Sequence, residues 1–211
     1  MTKKILITGA NGQLGHEMRN ALKGNNRFEC IFTDVAELDI CNTEAVKQTM
    51  ANNHIDYIVN CAAYTQVDKA EDNAELCKKI NTDAVENLAR AAADYGARMI
   101  HISTDYVFNG RGYRPYTEDM VPDPQSVYGS TKLEGEKILT DICPESIIIR
   151  TAWLYSPYGN NFVKTMLHLG EEREELSVVA DQIGTPTCAA DLAQAILVIL
   201  QADTFVPGTY H

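Results

Sequence analysis

The sequence predicts an α/β fold built on a doubly wound parallel sheet, and three observations lead to this prediction. Short apolar runs alternate with helical patterns along the chain, which is typical of β-α-β units. The run from Tyr57 to Asn60 is apolar, as expected for a parallel strand that is buried on both faces. A glycine-rich turn joins the first run to the first helix, an arrangement typical of a Rossmann-type fold.

In the first half of the chain, capping residues help to mark the ends of the helices. Asn42 or Thr43 is a suitable N-cap, and Gly96 is a suitable C-cap. The predicted elements are a strand over 3–8, a helix from the glycine turn to about 22, a strand over 28–33, a helix from 43 to about 51, a strand over 57–60, a helical region over 68–95 broken near 79–81, and a strand over 98–103.

The second half begins with a turn-rich loop over 109–126, whose length favours a binding role. The predicted elements that follow are a helix over 127–141, a strand over 146–150, a helix over 161–170, a strand over 176–179 and a helix over 189–200. We expect residues 1–151 to form an NAD(P)-binding Rossmann domain. Residues 152–211 should form a small, partial substrate-binding lobe that is interleaved with it.

Composition excludes several classes of protein. The net charge of −11 disfavours nonspecific binding to nucleic acid or to an anionic membrane. The six cysteines are scattered without a C-x-x-C motif, so free thiols are expected and a metal site is not. The longest apolar run is too short to span a bilayer, and the N-terminus lacks the length of a signal peptide. We therefore expect a cytoplasmic protein.

The glycine turn predicts a dinucleotide site. Gly9, Gly12 and Gly15 follow the first strand with G-x-x-G-x-x-G spacing and open a helix, so backbone amides can approach a pyrophosphate. A glycine triplet alone could also form a plain tight turn. Asp34 ends the second strand, where a carboxylate can bind an adenosine ribose and disfavours a 2′-phosphate. A capping or turn aspartate is nearly as compatible with that position.

Tyr128 and Lys132 are the candidate catalytic pair. They lie four residues apart on a predicted helix, so both side chains should share one face. A nearby ammonium stabilises phenolate, which would let Tyr128 donate a proton to a carbonyl oxygen. The pattern arises often by chance, and two solvated side chains are the plain alternative. The glycine turn and the strand ends at Cys61 and Ser103 should meet the pair at one crevice, which favours the catalytic interpretation.

With these residues in view, the chain resembles the extended short-chain dehydrogenase/reductases, and among them the dTDP-4-dehydrorhamnose reductases. The Tyr-Lys pair is common to the whole superfamily, whereas several other segments are more specific. The matching segments run in order over nearly the whole chain: I-T-G-A-N-G-Q-L-G from 7, N-C-A-A-Y-T-Q-V-D-K-A-E from 60, S-T-D-Y-V-F from 103, Y-G-S-T-K-L from 128, R-T-A-W-L-Y from 150, G-N-N-F from 159 and D-Q-I-G-T-P-T from 181.

The resemblance implies NADPH or NADH as cofactor and a dTDP-sugar as substrate, and it admits a homodimer. It implies that Tyr128 donates the proton, that Lys132 holds the nicotinamide ribose and lowers the pKa of Tyr128, and that Thr104 binds the 4-keto oxygen. Asp105 and Trp153 are implied to contact the deoxysugar. The implied cofactor contacts are Gly12, Gln13 and Leu14 at the pyrophosphate, Asp34, Asp39 and Ile40 at the adenosine, and Ala63, Tyr64 and Thr65 at the nicotinamide, together with Gly9, Gly15, Tyr128 and Lys132.

The chain departs from the family pattern in one respect, and two alternative functions stay open. Chains of this family usually continue well beyond a G-x-Y-H segment, which here is Gly208–His211, so the substrate lobe is expected to be incomplete. A non-catalytic relative, such as a regulatory subunit of methionine adenosyltransferase, would share the fold and many motifs. An epimerase or dehydratase acting on another nucleotide sugar is a second alternative, although Thr104-Asp105 lacks the adjacent glutamate of a dehydratase.

Overall fold

The computed structural model describes residues 2–211. Its main sheet has six strands, all parallel, in the spatial order β2-β1-β3-β4-β5-β8. The strands are β1 (Lys3–Thr8), β2 (Phe28–Phe32), β3 (Tyr57–Asn60), β4 (Arg98–Thr104), β5 (Ile147–Thr151) and β8 (Gly208–Tyr210). The order reverses between β1 and β3, so this is the point at which a doubly wound sheet opens a crevice.

Eight α-helices accompany the sheet in the described part of the chain. They are α1 (Gln13–Ala21), α2 (Thr43–Asn53), α3 (Val67–Asp72), α4 (Ala74–Lys78), α5 (Ala84–Tyr95), α6 (Val127–Ile142), α7 (Phe162–Glu172) and α8 (Ala189–Gln201). Of these, α1, α2, α5, α6 and α8 cover the two faces of the sheet. A π-helical turn over Lys79–Asp83 joins α4 to α5, close to the predicted break. A short 3₁₀ turn over Asp105–Val107 follows β4.

Two apolar cores hold the layers together. On one face, α2, α5 and α6 bury side chains such as Met50, Leu88 and Leu139 against the sheet. On the other face, α1 and α8 bury side chains such as Met18 and Ile196. Because both faces are covered, the central strands can be almost wholly apolar, as the sequence predicted.

The C-terminal part of the chain differs from the predicted element list. A predicted strand over 176–179 is wrong: this segment is irregular, and Leu176, Val178 and Val179 are exposed. A strand needs a partner for its backbone groups, and none pairs with this run. Instead, β6 (Leu154–Tyr155) and β7 (Thr187–Cys188) form a separate two-stranded parallel sheet.

Residues 152–211 are therefore divided between the main sheet with its helical layer and a separate part outside it. The β6-β7 ribbon and α7 lie outside the main sheet, whereas α8 covers the sheet and β8 extends its edge beside β5. This is an interleaved arrangement, and the division at residue 151 stays a prediction. Within residues 2–211, no helix combines the length and apolarity needed to cross a membrane.

Candidate functional site

A crevice of about 960 Å³ opens along the carboxyl ends of β1, β3 and β4. The glycine turn and the end of β2 form one part of its wall, and the N-terminal half of α6 and the segment after β5 form another. Of the predicted site residues, it is lined by Gly9, Gly12, Gln13, Leu14, Asp34, Asp39, Ile40, Ala63, Thr65, Thr104, Asp105, Tyr128, Lys132 and Trp153. Folding therefore brings together residues from position 9 to position 153 of the 211-residue chain.

The glycine turn is shaped by close backbone packing. Gly9 has a φ of +63°, and a Cβ built on it would lie 2.6 Å from the Ala62 amide nitrogen, so only glycine fits. A Cβ on Gly15 would lie 2.4 Å from the Gly9 oxygen. Gly12 precedes α1 and provides no side-chain cap. The first amides of α1 are consequently available to an anion at the positive end of the helix.

Two predicted cofactor residues, Gly15 and Tyr64, are not among the residues that line the crevice. Gly15 lies behind the turn, where it permits the close packing of α1 on Gly9. The Tyr64 backbone is fixed by Asn81, whose Oδ1 accepts from Tyr64 N at 2.9 Å and whose Nδ2 donates to Tyr64 O at 3.1 Å. The Tyr64 side chain packs in the small apolar cluster that contains Tyr128. Both residues thus support the wall of the crevice.

Asp34 lines the crevice beyond the end of the edge strand β2 and organises the loop around it. Its Oδ2 accepts from Asn11 N at 3.0 Å and its Oδ1 accepts from Val35 N at 2.9 Å. The carboxylate therefore connects the glycine turn to the end of β2. It places a negative charge at the position where the sequence predicted contact with an adenosine ribose.

Tyr128 and Lys132 both point inward from the first turns of α6. Ser126 caps this helix by accepting from Gly129 N at 3.1 Å. The glycine at 129 allows close approach, because a Cβ there would lie 2.2 Å from the Tyr106 carbonyl oxygen. Tyr128 is only 8% exposed and Lys132 is 1% exposed. The alternative of two solvated side chains does not describe this structure.

The Tyr128 phenol is held in its protonated form. Burial raises the pKa of Tyr128 to about 12, an effect that the neighbouring Thr104 hydroxyl partly offsets. Lys132, which the sequence predicted to lower this pKa, is not among the groups that shift it; its Nζ donates to the Ile102 carbonyl at 2.7 Å and lies 3.2 Å from His101 Nε2. A phenol with this pKa keeps its proton at neutral pH, as a proton donor requires.

Thr104 and Asp105 lie beside the phenol at the end of β4. The Thr104 hydroxyl donates to Asp105 Oδ1 at 3.2 Å and accepts from Tyr106 N at 3.2 Å. Burial raises the pKa of Asp105, and the hydrogen bond from Thr104 opposes that rise. Tyr106 packs edge-on against Tyr128, with ring centroids 5.5 Å apart. The phenol is therefore positioned by an aromatic contact on one side and by a polar group on another.

Trp153 forms part of the opposite rim. Its backbone has a φ of +48°, an uncommon conformation for a large side chain and one that concentrates at functional sites. The ring is 44% exposed and packs so closely on Gly184 that a Cβ there would lie 2.7 Å from it. Trp153 O also accepts from Thr187 N at 3.3 Å, which ties the loop to β7. A partly exposed indole at this rim is a suitable contact for a sugar ring.

The sequence analysis gave no role to His101, Asn60 or Asn161, and it did not predict the contact between Asn161 and Gln13. His101 and Asn60 are fully buried and contact each other behind Lys132. The feature of the sequence that could have indicated this buried contact is a histidine within the otherwise apolar strand β4. Gln13 accepts from Asn161 Nδ2 at 2.9 Å and so fastens the loop after β6 over the start of α1. Nothing in the spacing of Gln13 and Asn161 predicts that contact, since 148 residues separate them.

Within residues 2–211, no cluster of three or more metal-ligating side chains is present, and all six cysteines are free. The crevice fits a dinucleotide on two observations. The start of α1 has no side-chain cap, and the buried Ser103 and Thr151 hydroxyls at the strand ends have no hydrogen-bond partner. The first observation leaves backbone N–H groups available to a ligand, and the second leaves side-chain hydroxyls available.

Comparison with known proteins identifies relatives of this arrangement. The family model described as the RmlD substrate binding domain matches residues 3–211. A dTDP-4-dehydrorhamnose reductase from Escherichia coli K12 is 47% identical over 215 residues, which cover 98% of this chain and 71% of the relative.

Two solved structures extend the similarity to three dimensions. A dTDP-4-dehydrorhamnose reductase from Clostridium acetobutylicum has a TM-score of 0.94 at 50% identity, covering 99% of this chain and 73% of that one. A dTDP-4-dehydrorhamnose reductase from Bacillus anthracis, solved in complex with NADP, has a TM-score of 0.95 at 44% identity, covering 100% of this chain and 74% of that one.

Proposed function

Because the chain belongs to the RmlD substrate-binding-domain family, we propose that it is an NADPH-dependent oxidoreductase that reduces the 4-keto group of dTDP-4-dehydrorhamnose to give dTDP-L-rhamnose. The observation that carries the proposal is the buried Tyr128 phenol. It shares one crevice with Lys132, Thr104 and the glycine turn. The relatives named above are reductases of this substrate, and one was solved with NADP.

Cofactor binding uses the part of the crevice between β1 and β3. The amides of Gln13 and Leu14 receive the pyrophosphate at the start of α1, and the Gly9 turn lets the backbone approach it. Asp34, Asp39 and Ile40 surround the adenosine portion, and Ala63 and Thr65 border the nicotinamide portion. When bound, the reduced nicotinamide supplies the hydride.

Proton transfer uses Tyr128. Its phenol donates a proton to the oxygen of the sugar C4 as negative charge develops there, and burial keeps the phenol protonated until that moment. Thr104 provides a second donor when its hydroxyl turns from Asp105 to the same oxygen. Lys132 holds the nicotinamide ribose and balances the negative charge that remains on the phenolate.

Recognition of the sugar involves Asp105 and Trp153. Asp105 is partly buried next to Thr104, so its carboxylate can accept from a sugar hydroxyl near the reacting carbon. Trp153 offers a partly exposed aromatic surface at the rim. The homodimer and the cytoplasmic location that the sequence analysis predicted stay predictions.

The direct test is turnover by the purified chain. We expect oxidation of NADPH, followed by absorbance, when dTDP-4-dehydrorhamnose is added, with dTDP-L-rhamnose as the product identified by mass spectrometry. Intact cofactor binding without turnover would contradict the proposal and favour a non-catalytic regulatory role. Interconversion of the sugar without net NADPH consumption would favour an epimerase or a dehydratase.

Asp34 provides a test of cofactor discrimination. We expect Asp34→Ser to shift the ratio of kcat/KM for NADPH to that for NADH by roughly 10-fold toward NADPH, because removal of one nearby negative charge favours a 2′-phosphate by about 1.4 kcal/mol. Steady-state kinetics with both cofactors measures this ratio. Asp203→Ser, at an exposed position outside the crevice, is the matched control. An unchanged ratio in Asp34→Ser would show that Asp34 only organises the loop.

A further inference from the structure

A continuous chain of four buried polar side chains runs behind the crevice. Thr8 Oγ1 donates to Asn60 Oδ1 at 2.7 Å, and Asn60 Nδ2 lies 3.0 Å from His101 Nδ1. His101 Nε2 in turn lies 3.2 Å from Lys132 Nζ. Every member is at most 1% exposed. The chain therefore connects β1, β3 and β4 to the catalytic helix without contact with solvent.

The orientation of the Asn60 amide is determined by its neighbours. Asn60 Oδ1 accepts from Ala62 N at 3.2 Å as well as from Thr8. A backbone N–H can only donate, so the group that faces Ala62 must be the amide oxygen. Asn60 Nδ2 must consequently face His101 as a donor.

This orientation determines the tautomer of His101. Because Asn60 Nδ2 donates, His101 Nδ1 must accept and cannot carry a proton. The neutral imidazole then carries its proton on Nε2, which points at Lys132 Nζ. An ammonium has three donors and no acceptor. If Lys132 is charged, its ammonium and the His101 Nε2–H are therefore two donors that face each other. A neutral amine instead offers its lone pair to His101 and still donates to the Ile102 carbonyl.

We propose that His101 is a positioning residue for the reduction: held as the Nε2–H tautomer by Asn60, it donates a hydrogen bond to Lys132 Nζ and stabilises the neutral amine of that lysine. The inference rests on the proposed reductase function for its catalytic meaning. The hydrogen-bond pattern itself depends only on the protein.

The charged and titratable groups around Lys132 agree with this assignment. Glu136, one turn later on α6, favours the ammonium, but its carboxylate is already paired with Arg150 of β5 at 2.6 Å. Burial lowers the pKa of Lys132 to about 8, against the effects of Glu136 and the Cys77 thiol of α4. Burial, together with Lys132, also holds the pKa of His101 well below its usual range, so the imidazole stays neutral.

The consequence for turnover is a lysine that exchanges its proton near neutral pH. Each reduction takes one hydride from the cofactor and one proton from Tyr128. Charged Lys132, which lines the same crevice, stabilises the Tyr128 phenolate that remains, whereas the neutral amine that His101 stabilises does not. Solvent returns the protons of both groups from the crevice side, because the chain behind His101 is closed to water. The balance is one ketone, one hydride and one proton converted to one alcohol.

The pH profile of kcat tests the proposal. Since charged Lys132 is the active form, kcat should fall as the pH rises through about 8. His101→Gln removes the Nε2–H donor and can offer a carbonyl oxygen to the ammonium, so we expect the alkaline limb to move upward by about one pH unit. His168→Gln, at an exposed position on α7, is the matched control and should not move it. If the alkaline limb of the kcat profile has the same midpoint pH in His101→Gln as in the wild type, the proposal is overturned.

A second measurement uses the unmodified, cofactor-free protein and needs no activity. Nitrogen-15 NMR of the imidazoles should show one histidine that does not titrate between about pH 6 and 9, with its proton on Nε2 and none on Nδ1. A buried Nδ1–H tautomer, or an imidazolium in that range, would overturn the assignment even if the chain reduces the sugar. The expected tautomer in a chain without reductase activity would instead count against the proposed function alone.

Discussion

Tyr128→Phe is expected to lower kcat/KM for the dTDP-sugar by roughly 100- to 10,000-fold, the range attributed to a general acid. The variant keeps the ring, which packs on Tyr106 at 5.5 Å between centroids, and loses only the hydroxyl. The affinity for NADPH should stay nearly unchanged. Steady-state kinetics with calorimetric titration of the cofactor measures both quantities.

The matched control for this change is Tyr113→Phe, at a side chain that is 76% exposed. It should leave turnover and cofactor affinity at wild-type values. Near-full activity in Tyr128→Phe would show that another group donates the proton. A parallel loss of cofactor affinity would instead show that the hydroxyl mainly organises the binding site.

Gly129→Ala is expected to reduce kcat by at least about 100-fold and to lower the free energy of unfolding by about 2 kcal/mol or more. The new Cβ would lie 2.2 Å from the Tyr106 carbonyl oxygen, which belongs to the backbone and cannot turn aside. The start of α6 must therefore move away from the segment after β4. This movement separates Tyr128 from Thr104, and a displacement of about 1 Å is enough for the loss of rate.

Gly170→Ala is the control for helix propensity, because Gly170 also lies in a helix and a Cβ there meets nothing within 4 Å. That variant should be as stable as the wild type or slightly more stable. Thermal and urea denaturation compare the two changes on one scale. An equally mild effect of Gly129→Ala would mean that α6 can shift without disturbing the site.

Part of the site could be predicted from local patterns. The glycine turn lies between an apolar run and a helix, and those neighbours predict its position at the end of β1. Tyr128 and Lys132 are separated by one helical turn, so their common direction follows from helix geometry alone. The close approach at Gly9 is likewise a backbone property, and the structure adds the identity of the contacting residue, Ala62.

Other features depend on contacts between distant segments. The strand β8 has three residues and no strong pattern of its own, and pairing with β5 is what makes it a strand. The apolar run over 176–179 shows the opposite case. Its sequence pattern is typical of a strand, but the segment is irregular because no strand pairs with it. The effect of Lys132 on Tyr128 was predicted from proximity, whereas burial decides the pKa of the phenol.

Local patterns along the chain were enough to predict the alternation of strands and helices, the parallel sheet and the residues at the ends of its strands. These follow from short-range periodicity and from steric rules at glycine, which act within a few residues. Contacts between distant segments place Gly15 and Tyr64 outside the lining of the crevice, and the direction of the Asn60 amide fixes which nitrogen of His101 carries the proton beside Lys132. The physical reason is that burial and hydrogen-bond direction depend on neighbours that only folding brings together.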